Sequence, residues 1–254
     1  MRVMTFNLRF ETAQDGPYQW KYRKELVLET IWAYQPDLLA TQECTVPQLE
    51  YLTTSLTGYV PFISHRQIDP TCQYPTIFYR PRKIVPGPGR EFWLSKTPEA
   101  HRSKDWGSAF PRMVTFGQFR VIDREQWFYF ADTHLDHISE LARLMGAQII
   151  REHFARLGQP TILAGDFNDR PGSEVHRLLV SDGSPFADTW MLLKRSEAGV
   201  TTQHTFGGER FGHRIDWVLI TPPFRVQEVI IVTYNVNGRY PSDHFPYLVD
   251  LEYD

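Results

Sequence analysis

Asp166 and Asn168 stand two residues apart where the apolar run Thr161-Ile162-Leu163-Ala164-Gly165 stops. Strand side chains repeat every two residues, so a strand ending here carries a carboxylate and a carboxamide on the same side of its mouth. That pair suits phosphoryl chemistry. The carboxylate can hold a metal ion or activate a water, and the neutral amide can donate to a phosphate oxygen without adding repulsive charge. Asp and Asn after a strand are also ordinary turn formers, so this stretch alone leaves a structural reading open.

Other polar residues sit where apolar runs break: Asn7, Glu43, His134, Asp216, and Asp243 beside His244. Each has a structural reading. Asn7 could bond a neighbouring backbone group, Glu43 could be a surface acid, and His134 could be a satisfied buried histidine. Asp216 could pair with Arg214, and Asp243 could be a turn residue. Their joint chemistry points elsewhere. Glu43 with Asn7, and Asp243 as a further candidate, offers hard oxygen ligands that suit Mg2+ or Mn2+ rather than a thiolate-bound metal. His244 with a carboxylate partner is an acid–base pair. Asp166 can align a water while Asn168 and His134 stabilise charge on phosphate oxygens. Together these make a full set for metal-assisted phosphoester hydrolysis.

The elements that must position this set can be read in order. Val3 to Phe10 is a strand interrupted by Asn7, followed by a polar loop over 11–20 and a helix from Lys21 to Tyr34 that stops before Pro36. A strand over 37–43 ends in Gln42-Glu43. A helix over 47–56 precedes strands at 59–65 and 76–79, a turn region at 81–89, a short strand at 91–95 and a long polar loop over 96–111. A hairpin pairs 113–122 with 127–135. Ser139 caps the longest helix, which Gly158 closes before the Asp166 strand. A short helix runs from Ser173 to Val180, 184–212 reads largely as loop, and strands follow at 214–220, 226–234 and 247–253. Strands outnumber helices and no regular βαβ series runs through. The pattern predicts packed sheets flanked by helices, not a doubly wound fold.

Composition sets the outer bounds. A chain of 254 residues, 42% of them hydrophobic, can bury one sizeable core, and a single domain over 1–254 is expected. The net charge of −3 gives no global basic field to gather long nucleic acids. Cys44 and Cys72 form no spaced metal motif and too sparse a disulfide framework for a small secreted domain. With no bilayer-length apolar run and no leader before the first strand, a cytoplasmic, monomeric protein without membrane contact is expected.

Thr5-Phe6-Asn7, Gln42-Glu43, Thr133-His134-Leu135-Asp136, Gly165-Asp166-Phe167-Asn168, Arg214-Ile215-Asp216-Trp217 and Ser242-Asp243-His244 resemble, in order, the motif set of the endonuclease/exonuclease/phosphatase superfamily with its DNase I-like fold. The resemblance spans nearly the whole chain. Ile77-Phe78-Tyr79-Arg80, Phe92-Trp93-Leu94-Ser95, Trp106-Gly107, Arg112 and His204-Thr205-Phe206 resemble small bacterial members related to the nocturnin-like branch. The resemblance implies a four-layered α/β sandwich of the α+β type, two packed mixed β-sheets flanked by helices, with the site at one edge. It implies Mg2+ (or Mn2+) on Glu43 supported by Asn7, with Asp243 as a second metal-proximal acid. Asp166 would align the attacking water and Asn168 would bind phosphate. His244 would pair with Asp216 and face His134 across the scissile phosphate, with Arg112 as a phosphate clamp. One departure is Asp132, where relatives often carry Asn: its charge either lies near the site or faces away.

For the substrate, low net charge favours a compact phosphate ester, mono- or diester: a nucleotide, dinucleotide or short oligonucleotide. A DNA or RNA endonuclease would want a continuous basic rim, and Arg102, Lys104 and Arg112 form a modest one. Trp20, Tyr22, Tyr74, Trp106 and Phe211 could stack bases, although aromatic residues more often fill cores. A non-catalytic scaffold of this fold would normally lack a hydrolytic residue, and none is missing. A lipid phosphodiesterase would need an apolar membrane-facing hairpin, and no such stretch is present.

Overall fold

The computed structural model describes residues 1–63, 66–71, 73–181 and 183–253. The last residues of the strand expected over 59–65, and Cys72, lie outside them. Strand β1 (Arg2–Asn7) is followed by a 3-10 turn at Ala13–Tyr18, α1 (Trp20–Tyr34), β2 (Leu38–Thr45) and α2 (Val46–Ser55). Next come β3 (Val60–Pro61), β4 (Gln73–Tyr79), β5 (Ile84–Trp93), β6 (Met113–Val121) and β7 (Trp127–His134). Helix α3 (Glu140–Leu157), β8 (Thr161–Asp166), α4 (Glu174–Val180), β9 (Ala187–Asp188) and α5 (Thr189–Leu192) follow. The chain closes with β10 (Gln203–His204), β11 (Arg210–Phe211), β12 (Asp216–Ile220), β13 (Arg225–Ile231) and β14 (Tyr247–Glu252).

Two mixed six-stranded sheets result, in the orders β13-β14-β1-β2-β4-β3 and β5-β6-β7-β8-β12-β9. Their facing sides enclose one apolar layer that includes Val3, Ala40, Phe130, Ile162, Val218 and Val249. The outer face of the first sheet packs Met4, Phe6 and Leu39 under α1 and α2 through Val27, Ile31 and Leu52. The second packs Ala131, Leu163 and Trp217 under α3 and α4 through Ile150, Phe154 and Leu179. This is the expected four-layered sandwich. Each fully buried large apolar side chain contributes about 1.5–3 kcal/mol, so the three layers explain why these alternations select strands. Ser139 Oγ accepts the Ala142 amide at 3.1 Å to start α3, and Gly158, at φ 58°, ends it. Among the described residues no helix is long and apolar enough to cross a membrane.

The site is prepared by a change of residue type along the inward-facing positions. Followed toward one end of the sandwich, they read Val3-Thr5-Asn7 on β1, Ala40-Gln42 on β2, Phe130-Asp132-His134 on β7, Ala164-Asp166 on β8 and Val218-Asp216 on β12. Register lines these ends up. Asn7 is opposite Gln42 and His134 opposite Asp166 in parallel pairs, while Asp166 is opposite Asp216 in an antiparallel one.

Among the described residues the strand expected over 59–65 is only Val60–Pro61, and two further regions differ from the sequence expectation. The Gly/Pro-rich 81–89 segment, expected as a turn, forms the first half of β5, with a register shift between Pro86 and Gly89. That strand lies at a sheet edge, where missing donors and a bulge are tolerated. The 184–212 segment, expected largely as loop, contains α5 and three two-residue strands that periodicity could not resolve.

Candidate active site

Asn7 is the hinge between the two sheets. Its Nδ2 donates to Asp166 Oδ2 at 2.9 Å and to Glu43 Oε1 at 3.3 Å, while its Oδ1 accepts the Arg9 amide at 2.9 Å. Glu43 reaches this position through a bulge. The β2–β4 register shifts between Thr41 and Cys44, Glu43 adopts φ 61°, and its Oε2 accepts the Phe10 amide at 2.9 Å. Across the gap, Asn168 Nδ2 lies 2.9 Å from His134 Nε2 and donates to the Leu135 carbonyl at 3.0 Å. The Asn168 amide donates to Asp166 Oδ1 at 2.9 Å. His244 Nδ1 is 2.9 Å from Asp216 Oδ2, and its Nε2 points toward Asp166 Oδ2 at 3.9 Å, too far for a direct hydrogen bond.

The remaining candidates lie on the rim. Asp243 directs its carboxylate to Arg9 Nε at 3.9 Å and accepts from Ser242 Oγ at 3.3 Å. Arg112 places Nε 3.7 Å from Asp136 Oδ2, and its charge also acts on Glu43, Asp166 and His134. Arg102 and Lys104 do not extend that basic point: one approaches Asp69 at 3.8 Å and the other donates to the Ala109 carbonyl at 3.3 Å. Of the loop aromatics, Trp20 and Tyr74 are buried, whereas Tyr22 and Phe211 are exposed. Asp132 faces inward, one layer beneath His134, fully buried with Oδ1 accepting from Gln42 Nε2 at 2.7 Å.

Burial drives the site's titration, and neighbours decide its direction. Burial alone would depress His244, but Asp216, then Asp166 and Asp243, outweigh it and hold the imidazolium well above its ordinary range. His134 Nε2 lies 3.4 Å from Asp166 Oδ2, yet burial, then Arg112 and His244, hold it well below. Burial, reinforced by the charge of Asp216, pushes the Asp166 carboxyl up to about 7. The site therefore pushes its two imidazoles in opposite directions, His244 up and His134 down, and raises the Asp166 carboxyl.

The Glu43 carboxylate is a hard donor that a divalent cation takes, and Asn7 would offer its Oδ1 beside it only with its carboxamide turned, since here Nδ2 faces Glu43 and Oδ1 accepts from the Arg9 amide. Two observations fit such a cation. Asp216 Oδ1 is buried without a hydrogen-bond partner among the described residues, and Asp166 is raised by a neighbouring carboxylate whose charge a cation would offset. Asp166, Asp216 and His244 also offer ligand atoms within 4.8 Å of one another, a second grouping that the sequence does not single out.

Four supporting residues were given no role by sequence reasoning, although Ser242 and Gly165 stand inside its motifs. Arg23 is buried and donates to the carbonyls of Leu8 at 2.5 Å, Arg9 at 2.6 Å, Tyr18 at 3.0 Å and Pro241 at 2.9 Å, tying the Asn7 and His244 loops together. Its signal was available: an Arg inside the helical stripe Trp20-Arg23-Val27-Ile31. Thr202 Oγ1 accepts the amides of Ile215 at 3.0 Å and Asp216 at 3.2 Å, while its carbonyl accepts the Phe245 amide at 2.8 Å. Ser242 Oγ donates to the Asn7 carbonyl at 2.7 Å. Gly165 permits the close approach of β8 to β7, since a Cβ there would lie 2.1 Å from the Thr133 carbonyl oxygen.

With this geometry in hand, comparison with known proteins is specific. The model of the Endonuclease/Exonuclease/phosphatase family matches residues 4–244. The crystal structure of an endonuclease/exonuclease/phosphatase family protein from Bacteroides thetaiotaomicron is 30% identical, with a TM-score of 0.88 covering 100% of this chain and 98% of that one. A mannosyl-6-phosphatase from the same organism is 29% identical, with a TM-score of 0.87 covering 100% of both chains. Nocturnin of Drosophila melanogaster is 26% identical over 282 residues, which take in 92% of this chain and 42% of nocturnin's own length.

Proposed function

The chain belongs to the endonuclease/exonuclease/phosphatase family, and we propose that it is a metal-dependent phosphoester hydrolase acting on compact substrates, with a nucleotide, dinucleotide or short oligonucleotide as the first candidate. The observation that carries this reading is the gap of 3.9 Å between His244 Nε2 and Asp166 Oδ2, with Asp216 behind one and the neutral His134–Asn168 pair beside the other.

In this reading a phosphate docks at the mouth beside these residues with its oxygens against Asn168 Nδ2, which gives up its His134 contact, and Arg112, whose donors compensate developing negative charge. Asp166 orients the attacking water and accepts its proton, a role suited to a carboxyl held near neutrality. His244, kept cationic by Asp216, donates toward charged phosphate or leaving-group oxygen, and His134, kept neutral, offers a second hydrogen-bonding group. Glu43 and Asn7, with Asp243 as a further acid on the rim, would hold Mg2+ or Mn2+, which supplies Lewis-acid neutralisation of phosphoryl charge.

A net charge of −3 and a rim whose Arg102 and Lys104 are engaged elsewhere argue for a compact ester over long duplex DNA. The mannosyl-6-phosphatase relative brings in a second reading, a sugar phosphate monoester. The full hydrolytic set argues against a binding scaffold.

The test is hydrolysis with Mn2+ across bis-p-nitrophenyl phosphate, p-nitrophenyl phosphate, nucleotides, mannose 6-phosphate, short single-stranded RNA and DNA, and plasmid DNA, with Asp166→Ala as control. Small esters or short strands should be cleaved only by the wild type. Dominant plasmid nicking would overturn the compact-substrate reading, and the absence of Asp166-dependent hydrolysis of every ester would overturn the hydrolase reading.

A further inference from the structure

Phe110 is 51% exposed, and Ile138 and Leu141 are 66% and 54% exposed. Of these, Phe110 lies against Arg112, and Ile138 follows His137, which Arg112 also touches. The Arg112 guanidinium carbon lies 5.7 Å from the Phe110 ring centroid, and Nη2 lies 3.2 Å from His137 Nδ1. The same guanidinium is attracted by Asp136, then by Glu43 and Asp166. The rings of Phe110 and His137 are near-parallel, 5.8 Å apart with an interplanar angle of 21°.

We propose that this Phe110–His137 face, extended by Ile138, is a subsite for the planar base of a nucleotide whose phosphate lies against Arg112. The inference rests on the phosphoester-hydrolase reading above and names which part of the substrate this wall takes.

The platform is built in advance of any ligand. The buried Asp136 carboxylate accepts from Ser108 Oγ at 3.1 Å and the Ala109 amide at 2.9 Å on one side, and from the amides of Ile138 at 3.0 Å and Ser139 at 2.8 Å on the other. Ser108 Oγ also donates to the Phe110 carbonyl at 2.7 Å. Both segments that carry the rings are thus pinned to one carboxylate, which burial would raise but these hydrogen bonds and Arg112 hold below its ordinary range. Little backbone freedom is left to lose on binding.

Its chemistry favours a base over a sugar or a second phosphate. A base presents a flat π-face to stack on rings, and the Phe110 ring is exposed. Sugar hydroxyls need several donors and acceptors, and the charged group at this wall, Arg112, already faces the phosphate position.

Calorimetric titration in EDTA, where no turnover consumes ligand, separates the contributions. The probes are AMP, ribose 5-phosphate and orthophosphate; the proteins are wild type, Phe110→Ala and Phe110→Trp. Wild type should bind AMP about tenfold or more tighter than ribose 5-phosphate. Phe110→Ala should abolish that advantage while leaving ribose 5-phosphate and orthophosphate unchanged, and Phe110→Trp should keep it. Equal wild-type affinity for AMP and ribose 5-phosphate, or a loss in Phe110→Ala shared by all three probes, would overturn the platform. The hydrolysis panel judges the enzymatic reading separately, since these affinities do not depend on turnover.

Discussion

Replacing Asp132 by Asn should stabilise the protein relative to wild type by an amount that grows as pH rises. Asp132 is fully buried between the sheets, and burial lifts its pKa well above the ordinary carboxylate range against the Gln42 hydrogen bond and the charge of Arg66. The folded state therefore keeps a proton that the unfolded chain releases near pH 3.9. Stability from this raised pKa is fully present below the unfolded value and is lost as pH climbs toward the folded one, at as much as about 1.4 kcal/mol per pH unit. The carboxamide of the Asp132→Asn variant would preserve the carbonyl that accepts from Gln42 Nε2 and have nothing to ionise. Its new amide N–H adds a cost that does not vary with pH. The gap between the two proteins should therefore widen in favour of Asp132→Asn by about 3–6 °C in Tm per pH unit for a chain of this size. Differential scanning calorimetry at pH 4.5, 6.0 and 7.5 measures it. A gap that stays flat across that range would refute the buried-proton argument, and one that narrows would reverse its sign.

Activity should disappear in EDTA and return with Mg2+ or Mn2+, and Mg2+ should raise the Tm of wild type but not of Glu43→Gln; hydrolysis that survives full chelation would sink the metal assignment. His244→Ala and Asp166→Ala should each lower turnover by several orders of magnitude with Tm within a few degrees of wild type, because these side chains end strands and do not fill the core. Loss of folding in His244→Ala would make that histidine structural. Gly165→Ala should lower kcat by about 100-fold and stability by about 1–3 kcal/mol, since a Cβ 2.1 Å from the Thr133 carbonyl forces β7 and β8 apart and shifts Asp166 from His134. Wild-type kinetics in that variant would show that the strand spacing does not set the site.

Residues at the ends of regular strands were legible in the sequence, because period-two alternation places Asn7, His134, Asp166 and Asp216 on inward faces and parallel or antiparallel register brings them level. Asn168 followed from its spacing to Asp166. Glu43 was readable as an acid after a strand, but the bulge and the φ of 61° that carry it to Asn7 leave no periodic trace. Arg23 and Thr202 act through backbone carbonyls and amides far apart in the chain, contacts that only the folded topology creates. Proline and glycine hid the start of β5 because edge strands tolerate residues that would break a central one. Asp132 was flagged as a departure, yet which way it faced depended on recognising that it shares an inward face with His134.

The same topology explains why two histidines in one gap diverge. Both are surrounded by protein, and burial by itself would make both neutral. Antiparallel pairing of β12 with β8 brings Asp216 level with Asp166, and the loop after Asp243 lays His244 Nδ1 on the Asp216 carboxylate, so this imidazole gains a counter-charge. His134, on the far side of β8, meets the Asn168 amide and the field of Arg112 instead, and stays uncharged. Environments that push like groups apart are how a site obtains a donor and an acceptor from one residue type. Here the split follows from what each ring meets: His244 Nδ1 rests on Asp216 at 2.9 Å, while His134 Nε2 meets the Asn168 amide at 2.9 Å and lies 3.4 Å from Asp166, a carboxyl itself raised to about 7.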